Sequence, residues 1–263
     1  MIQKQFALRA AEIVKHNPSL IGLTIGGSWL SAEVDKYSDL DLILVTHEKL
    51  SNNKPRIFEI AGKLGKLLSA FTGEHVGESR LLICLYDDPL LHVDIKFLTL
   101  EEFQSRVETP VILTDTDDIL LNTLKTTKSK FPYPDYQWIE DRFWIWIHYA
   151  LLKIGRGEYF EALDFLSYLR GTVLGPLLHI KNGHQPRGIR RVETKLPTAD
   201  LDILKSTIAT HDRDSILQAL ENIIILYKRL RSELFDQTKV SFQSATELAV
   251  MQYKSEIVSS LIP

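Results

Sequence analysis

Apolar and polar positions follow two different periods along the chain, and the period changes near its middle. Residues 20–98 carry short β-rich apolar runs separated by turn residues, whereas the chain from Gln137 onward repeats its apolar positions at helical spacing and offers no convincing strand. Phe6, Ala10, Ile13 and Val14 share one side of a predicted helix over 3–16. Residues 20–25 read as a strand running into Gly26-Gly27-Ser28, and 40–45 as a second strand. Ile57, Ile60, Leu64, Leu67 and Leu68 recur every three or four residues and predict a helix over 56–71. Strands over 81–86 and 90–98 are joined by Asp87-Asp88-Pro89, a good hairpin-turn composition.

The second half predicts helices over 137–154, 159–180, 198–209, 212–235 and 244–261. Gly155 to Gly157 separate the first two, and Asn182-Gly183 ends the second. Between the halves, residues 125–136 hold three lysines, Pro132 and Pro134 with few aliphatics. Prolines two apart sit neither inside a helix nor in a central strand, so this stretch reads as a linker. The expected fold is therefore an α/β (α+β) domain with helices over a mixed sheet, residues 1–130, followed by an all-α C-terminal helical bundle, residues 131–263.

Composition narrows the function classes. The chain has 263 residues, 44% hydrophobic and 25% charged, which suits a globular protein with a real core. Its 31 Lys and Arg against 34 Asp and Glu give a net charge of -3. That balance argues against a protein living on the nucleic-acid backbone, where a basic face is expected. A single cysteine, Cys84, rules out an internal disulfide and reads as an inert core thiol. No apolar leader opens the chain, and its apolar runs are far shorter than the roughly 20 residues that span a bilayer. The expectation is a cytoplasmic soluble protein with neither nucleic acid nor membrane as partner.

The informative chemistry is Gly26-Gly27-Ser28, ten further residues, then Asp39-Leu40-Asp41 opening a strand. Two glycines permit tight backbone geometry and close approach of a ligand. Ser28 can cap a following helix, whose free N–H groups favour an anion, typically a phosphate. In the strand, Leu40, Leu42 and Leu44 face one side while Asp39 and Asp41 face the other. Two carboxylates on one face repel unless a cation sits between them, and oxygen-only donors at that density suit Mg²⁺ sharing its shell with substrate phosphates. In the later strand, Leu91, Val93, Ile95 and Phe97 form a core face opposite His92, Asp94 and Lys96, so Asp94 can complete a divalent-metal triad.

This pattern resembles the DNA polymerase beta nucleotidyltransferase superfamily, and within it the small-molecule branch of aminoglycoside and lincosamide nucleotidyltransferases. Those pair a nucleotidyltransferase domain with a helical bundle, the layout expected over most of this chain. The resemblance implies a Mg²⁺-dependent transfer of a nucleoside monophosphate, AMP from ATP as the first choice, to a hydroxyl of a small molecule such as an antibiotic, with release of pyrophosphate. It implies that Gly26, Gly27 and Ser28 hold the nucleotide's phosphates, and that Asp39, Asp41 and Asp94 bind metal and serve catalysis. The chain departs from the pattern after Ser28, where Trp29-Leu30-Ser31-Ala32 replaces the small residue, Arg and Gly of many members. The phosphate contact of that missing Arg falls to another group, such as Lys36 or a residue of the helical half.

In the helical half, Gln137, Asp141, Trp144 and His148 share one helix face, with Trp138, Ile145, Tyr149 and Leu152 expected as the core stripe. Asp141 or Glu140 can accept the proton of an acceptor hydroxyl with Trp144 stacking on the substrate; the plainer reading is that both acids complement the helix N-terminus. Lys153 matches a helical-domain lysine that related transferases place on the triphosphate, or it complements the helix C-terminus. The basic run Arg187 to Arg191 reads equally as a phosphate site or a solvated loop. Transfer to a protein side chain, and a non-catalytic module that senses nucleotide or binds a protein partner, are the alternative functions.

Overall fold

A computed structural model of the protein describes residues 1–31 and 33–259. The chain divides into two compact units, Met1–Phe131 and Pro132–Pro263.

The first unit is built on a six-stranded mixed sheet with strand order β3-β4-β5-β2-β1-β6. Its strands are β1 (Leu20–Ile25), β2 (Leu40–Thr46), β3 (Lys66–Gly73), β4 (Glu78–Asp87), β5 (Leu91–Thr99) and β6 (Val111–Asp115). β2 and β5 run parallel, in register from Leu40 opposite Val93 to Thr46 opposite Thr99, and the other neighbours pair antiparallel. The alternation expected for β2 and β5 is present: Leu40, Leu42, Leu44, Val93, Ile95 and Phe97 are buried, with Asp41, Asp94 and Lys96 half-buried between them. The buried set packs under helices α1 (Ile2–Lys15) and α2 (Lys54–Leu64), which contribute Phe6, Ala10, Val14, Ile57, Ile60 and Leu64. Tyr86 closes this layer, its ring tilted against Phe6 and its hydroxyl donating to Ala61 O at 2.8 Å.

The opposite face carries a second cluster at one end. Ile21, Val45, Leu98, Phe103 and Leu120 form a small second core with helices α3 (Leu100–Gln104) and α4 (Ile119–Thr126). Val45 and Leu98 lie at the exits of β2 and β5, so the entries of those strands, which carry Asp41 and Asp94, lie outside this cluster.

Two local expectations are overturned. The helix predicted over 56–71 stops at Leu64, and residues 66–73 form the edge strand β3 along β4. The leucine spacing continues past Gly65, but the ladder to β4 satisfies the backbone of this stretch and outweighs its helical period. No α-helix follows Ser28 either: residues 27–29 make a single 3-10 turn without a side-chain cap. Downstream, Asp35 accepts from Tyr37 N and Ser38 Oγ, and such side-chain turns compete with helix formation.

The second unit is all-helical. α5 (Tyr136–Gly155), α6 (Tyr159–Leu169), α7 (Gly175–Lys181), α8 (Val192–Lys195), α9 (Thr198–Lys205), α10 (Arg213–Leu234) and α11 (Ser244–Ser259) share one core. Leu261, expected in the last helix, lies outside the described residues. α6 and α7 continue through a π-helical turn at Arg170–Leu174. The expected α5 stripe is inverted: Trp138, Ile145 and Tyr149 are exposed, while Phe143, Trp144, Ile147 and Leu151 are buried. α5 is apolar nearly all round, so neighbours rather than periodicity choose its inner face; Phe143 stacks on Tyr227 of α10 with centroids 3.5 Å apart. Among the described residues no helix is long and apolar enough to cross a membrane.

Candidate active site

The end of β1 and the start of β2 meet at the glycine turn. Gly26 N–H donates to Asp41 O at 2.9 Å, which fixes the turn over the entry of β2. Gly27 has φ +62, a left-handed conformation that favours glycine. A Cβ on Gly27 would overlap Asp41 Oδ2 and lie 2.8 Å from Asp41 Cγ. The missing side chain is thus the space in which the Asp41 carboxylate sits. Close approach, the role expected for these glycines, is used first by a carboxylate of the same chain.

Asp94 is brought to this place by register. Asp41 and Asp94 are direct partners across β2 and β5, so both project from the same face with backbones about 5 Å apart. Asp39 precedes β2, is half-buried and has no hydrogen-bond partner among the described residues. Asp94 accepts from His92 Nε2 at 2.9 Å. Lys96, next along that face, pairs with Glu78 at 2.6 Å. The hydrogen bond from Arg80 and the ammonium of Lys96 together outweigh burial and hold the Glu78 carboxyl down at about 2. This local ion network leaves Asp41 and Asp94 as the acids at the strand entries.

Carboxylate oxygens are the donors Mg²⁺ takes, and its usual protein share is one or two of them, completed by substrate phosphates. Asp41 and Asp94 fit that demand, and Asp39 stands two residues before Asp41. Among the described residues no three His, Cys, Asp or Glu side chains are gathered into a ready-made metal cage.

One residue at the turn escaped the sequence reading. Glu108, in the loop between α3 and β6, accepts from Gly27 N–H through Oε1 at 2.7 Å. The same oxygen would lie 2.6 Å from a Cβ on Gly26. Nothing in the sequence marks Glu108, because it stands 81 residues from Gly27 and in no motif. Ser28, expected to cap a helix, makes no side-chain cap.

The remaining expected residues lie in the second unit. Asp141 is exposed, and its Oδ1 accepts from Gln137 Nε2 at 2.7 Å and Gln243 Nε2 at 3.1 Å. Glu140 is fully buried and accepts from Tyr227, Arg231 and Gln243 N, so its carboxylate is committed to the core. Trp144, expected to stack on substrate, is 1% exposed and belongs to that core instead. Lys153 pairs with Glu158 at 2.9 Å and Glu161 at 2.6 Å, tying the end of α5 to the start of α6. Hydrogen bonds to Glu161 and Glu158 raise its pKa above the ordinary lysine value. Cys84 is buried, and burial pushes its thiol up to about 12, consistent with an inert core group.

No family model matches the chain, and no curated protein matches it in sequence. Among solved structures it is similar to an aminoglycoside 6-adenyltransferase from Bacillus subtilis, at 14% identity and a TM-score of 0.40, over 97% of each chain. It is also similar to a nucleotidyltransferase-like protein from Exiguobacterium sibiricum 255-15, at 12% identity and a TM-score of 0.35, over 87% of this chain and 75% of the other. At such low scores and identities the functional reading falls to the chain's own residues.

Proposed function

We propose that the chain is a nucleotidyltransferase: it moves a nucleoside monophosphate from a nucleoside triphosphate to a hydroxyl of a small molecule and releases pyrophosphate. One observation carries this reading, the glycine turn seated directly on Asp41 with Asp94 as its register partner on the same face. In the transfer, the acceptor oxygen bonds to the α-phosphorus as the bond from that phosphorus to the bridging β-phosphate oxygen breaks. The leaving group is pyrophosphate, and the hydroxyl proton passes to a base.

Gly26, Gly27 and Ser28 are the proposed phosphate cradle, a turn without side chains at Gly26 and Gly27, where the Gly27 N–H is held by Glu108. Asp39, Asp41 and Asp94 are the proposed holders of Mg²⁺. When bound there, the ion supplies charge neutralisation of the phosphates and polarisation of the attacking oxygen. The residues themselves act mainly by position, which suits phosphoryl chemistry, where alignment and electrostatics supply most of the rate. Asp141 is the proposed proton acceptor; as an exposed carboxylate held by two glutamine amides it has a fixed orientation and solvent access. Lys153 takes part only by exchanging Glu158 and Glu161 for phosphate oxygens. ATP as donor and an antibiotic as acceptor follow from the family resemblance.

The test is pyrophosphate release from each of the four common nucleoside triphosphates across a panel of hydroxylated acceptors, with the modified acceptor identified by mass. Release that requires both Mg²⁺ and an acceptor supports transfer. Nucleotide binding without release under any acceptor points instead to a sensing module, and a nucleotidylated protein in place of a small molecule points to a protein adenylyltransferase.

A further inference from the structure

The turn that the proposed function assigns to phosphate already holds an anion. Gly27 N–H, the donor at the centre of the turn, is taken by the Glu108 carboxylate at 2.7 Å. That oxygen lies against the Gly26 backbone, and the Asp41 carboxylate lies against Gly27. A single N–H cannot donate well to a carboxylate and a phosphate at once, and two anions on one turn repel.

We infer that Glu108 is an internal stand-in for phosphate, an autoinhibitory contact that the nucleotide displaces; this rests on the proposed nucleotidyltransferase reading. The loop around it is built for a side-chain exchange rather than a loop movement. On one side, Arg106 donates to Gln104 O, Thr127 O and Thr127 Oγ1, and its carbonyl accepts from Lys130 N. On the other, Thr109 Oγ1 meets Ser129 Oγ at 3.3 Å and Pro110 is buried. Between these anchors the Glu108 side chain can rotate off the turn with the backbone in place. The contact occupies the Gly27 N–H until the nucleotide arrives.

The experiment is calorimetric titration of ATP with Mg²⁺ into wild type, Glu108→Ala, Glu108→Gln and, as a charge control, Glu101→Gln. Glu101 is an exposed acid of α3. Displacing a charge-assisted hydrogen bond costs the incoming ligand about tenfold in affinity. Glu108→Ala is expected to bind about tenfold more tightly than wild type, and Glu108→Gln by a smaller factor because its amide oxygen still accepts from Gly27. Glu101→Gln is expected to bind as wild type does. Melting curves confirm that each variant is folded, and Glu108→Gln, close in size, decides the matter if the alanine variant melts early. Unchanged or weaker binding in both Glu108 variants, with wild type binding, overturns the inference and leaves the nucleotidyltransferase reading standing. An equal gain in Glu101→Gln overturns it also, as a bulk charge effect. Absence of binding in every protein overturns the nucleotidyltransferase reading and this inference together.

Discussion

Replacing Gly27 by alanine probes the junction of turn and carboxylate. The substitution has two costs. A left-handed φ of +62 costs a residue with a Cβ about 1–2 kcal/mol, of which the lower unfolded-state entropy of alanine returns about 0.4–1 kcal/mol. The new Cβ must also displace Asp41, whose Cγ lies 2.8 Å from its position, and overpacking of this kind costs about 1–3 kcal/mol. Gly77 supplies the control, because it has φ +74 and nothing within 4 Å of a Cβ. Gly77→Ala shares the first cost and escapes the second. Chemical denaturation followed by circular dichroism should therefore separate the two variants by about 1–3 kcal/mol, with Gly27→Ala the less stable. ATP titration in Mg²⁺ should show Gly77→Ala binding as wild type and Gly27→Ala losing at least tenfold, a loss of about 1.4 kcal/mol. Equal stability in the two variants together with intact ATP binding by Gly27→Ala would refute the placement of Asp41 beneath the turn.

Other expectations are simpler. Asp41→Asn should abolish transfer in the pyrophosphate assay while melting at or above the wild-type temperature, since one source of carboxylate repulsion is gone; unaltered turnover would sink the mechanism. Arg231→Met should destabilise the helical unit by about 3–5 kcal/mol, because Glu140 is left buried without its cation; a loss below about 1 kcal/mol would contradict a structural role for that pair. Glu78 titrates at about 2 in the folded chain against an ordinary 4.5, so its contribution to stability is full above pH 4.5 and is lost as pH falls toward 2. The stability gap between wild type and Glu78→Gln should narrow across that window, and a gap independent of pH there would disprove the ion network around Lys96.

The chain announces its elements where local and global preferences agree. Residues 20–25 stand between turn residues with no competing period, and β1 spans those residues. Asp41 and Asp94 were legible as alternating polar positions in apolar strands, but their partnership was not, because strand register is set by pairing between segments about 50 residues apart. β3 was hidden by leucines whose helical spacing runs across Gly65, and only the β4 ladder decides between the two readings. On α5 the inner face is chosen by Tyr227 and its neighbours, so an all-round apolar pattern could not reveal that Trp144 is core and Tyr149 is not. Glu108 is the extreme case, a residue whose place at the turn exists only through the tertiary fold.

The account turns on a metal-dependent triphosphate site at the glycine turn and the strand-entry acids. Calorimetric titration of ATP, with and without Mg²⁺, into wild type and an Asp39→Asn, Asp41→Asn double variant tests this most directly, repeated with candidate acceptors present in case the acceptor binds first. The account predicts Mg²⁺-dependent binding in wild type that disappears in the double variant. Undiminished binding in the double variant, or no binding of any nucleoside triphosphate to wild type with or without acceptor, would contradict it.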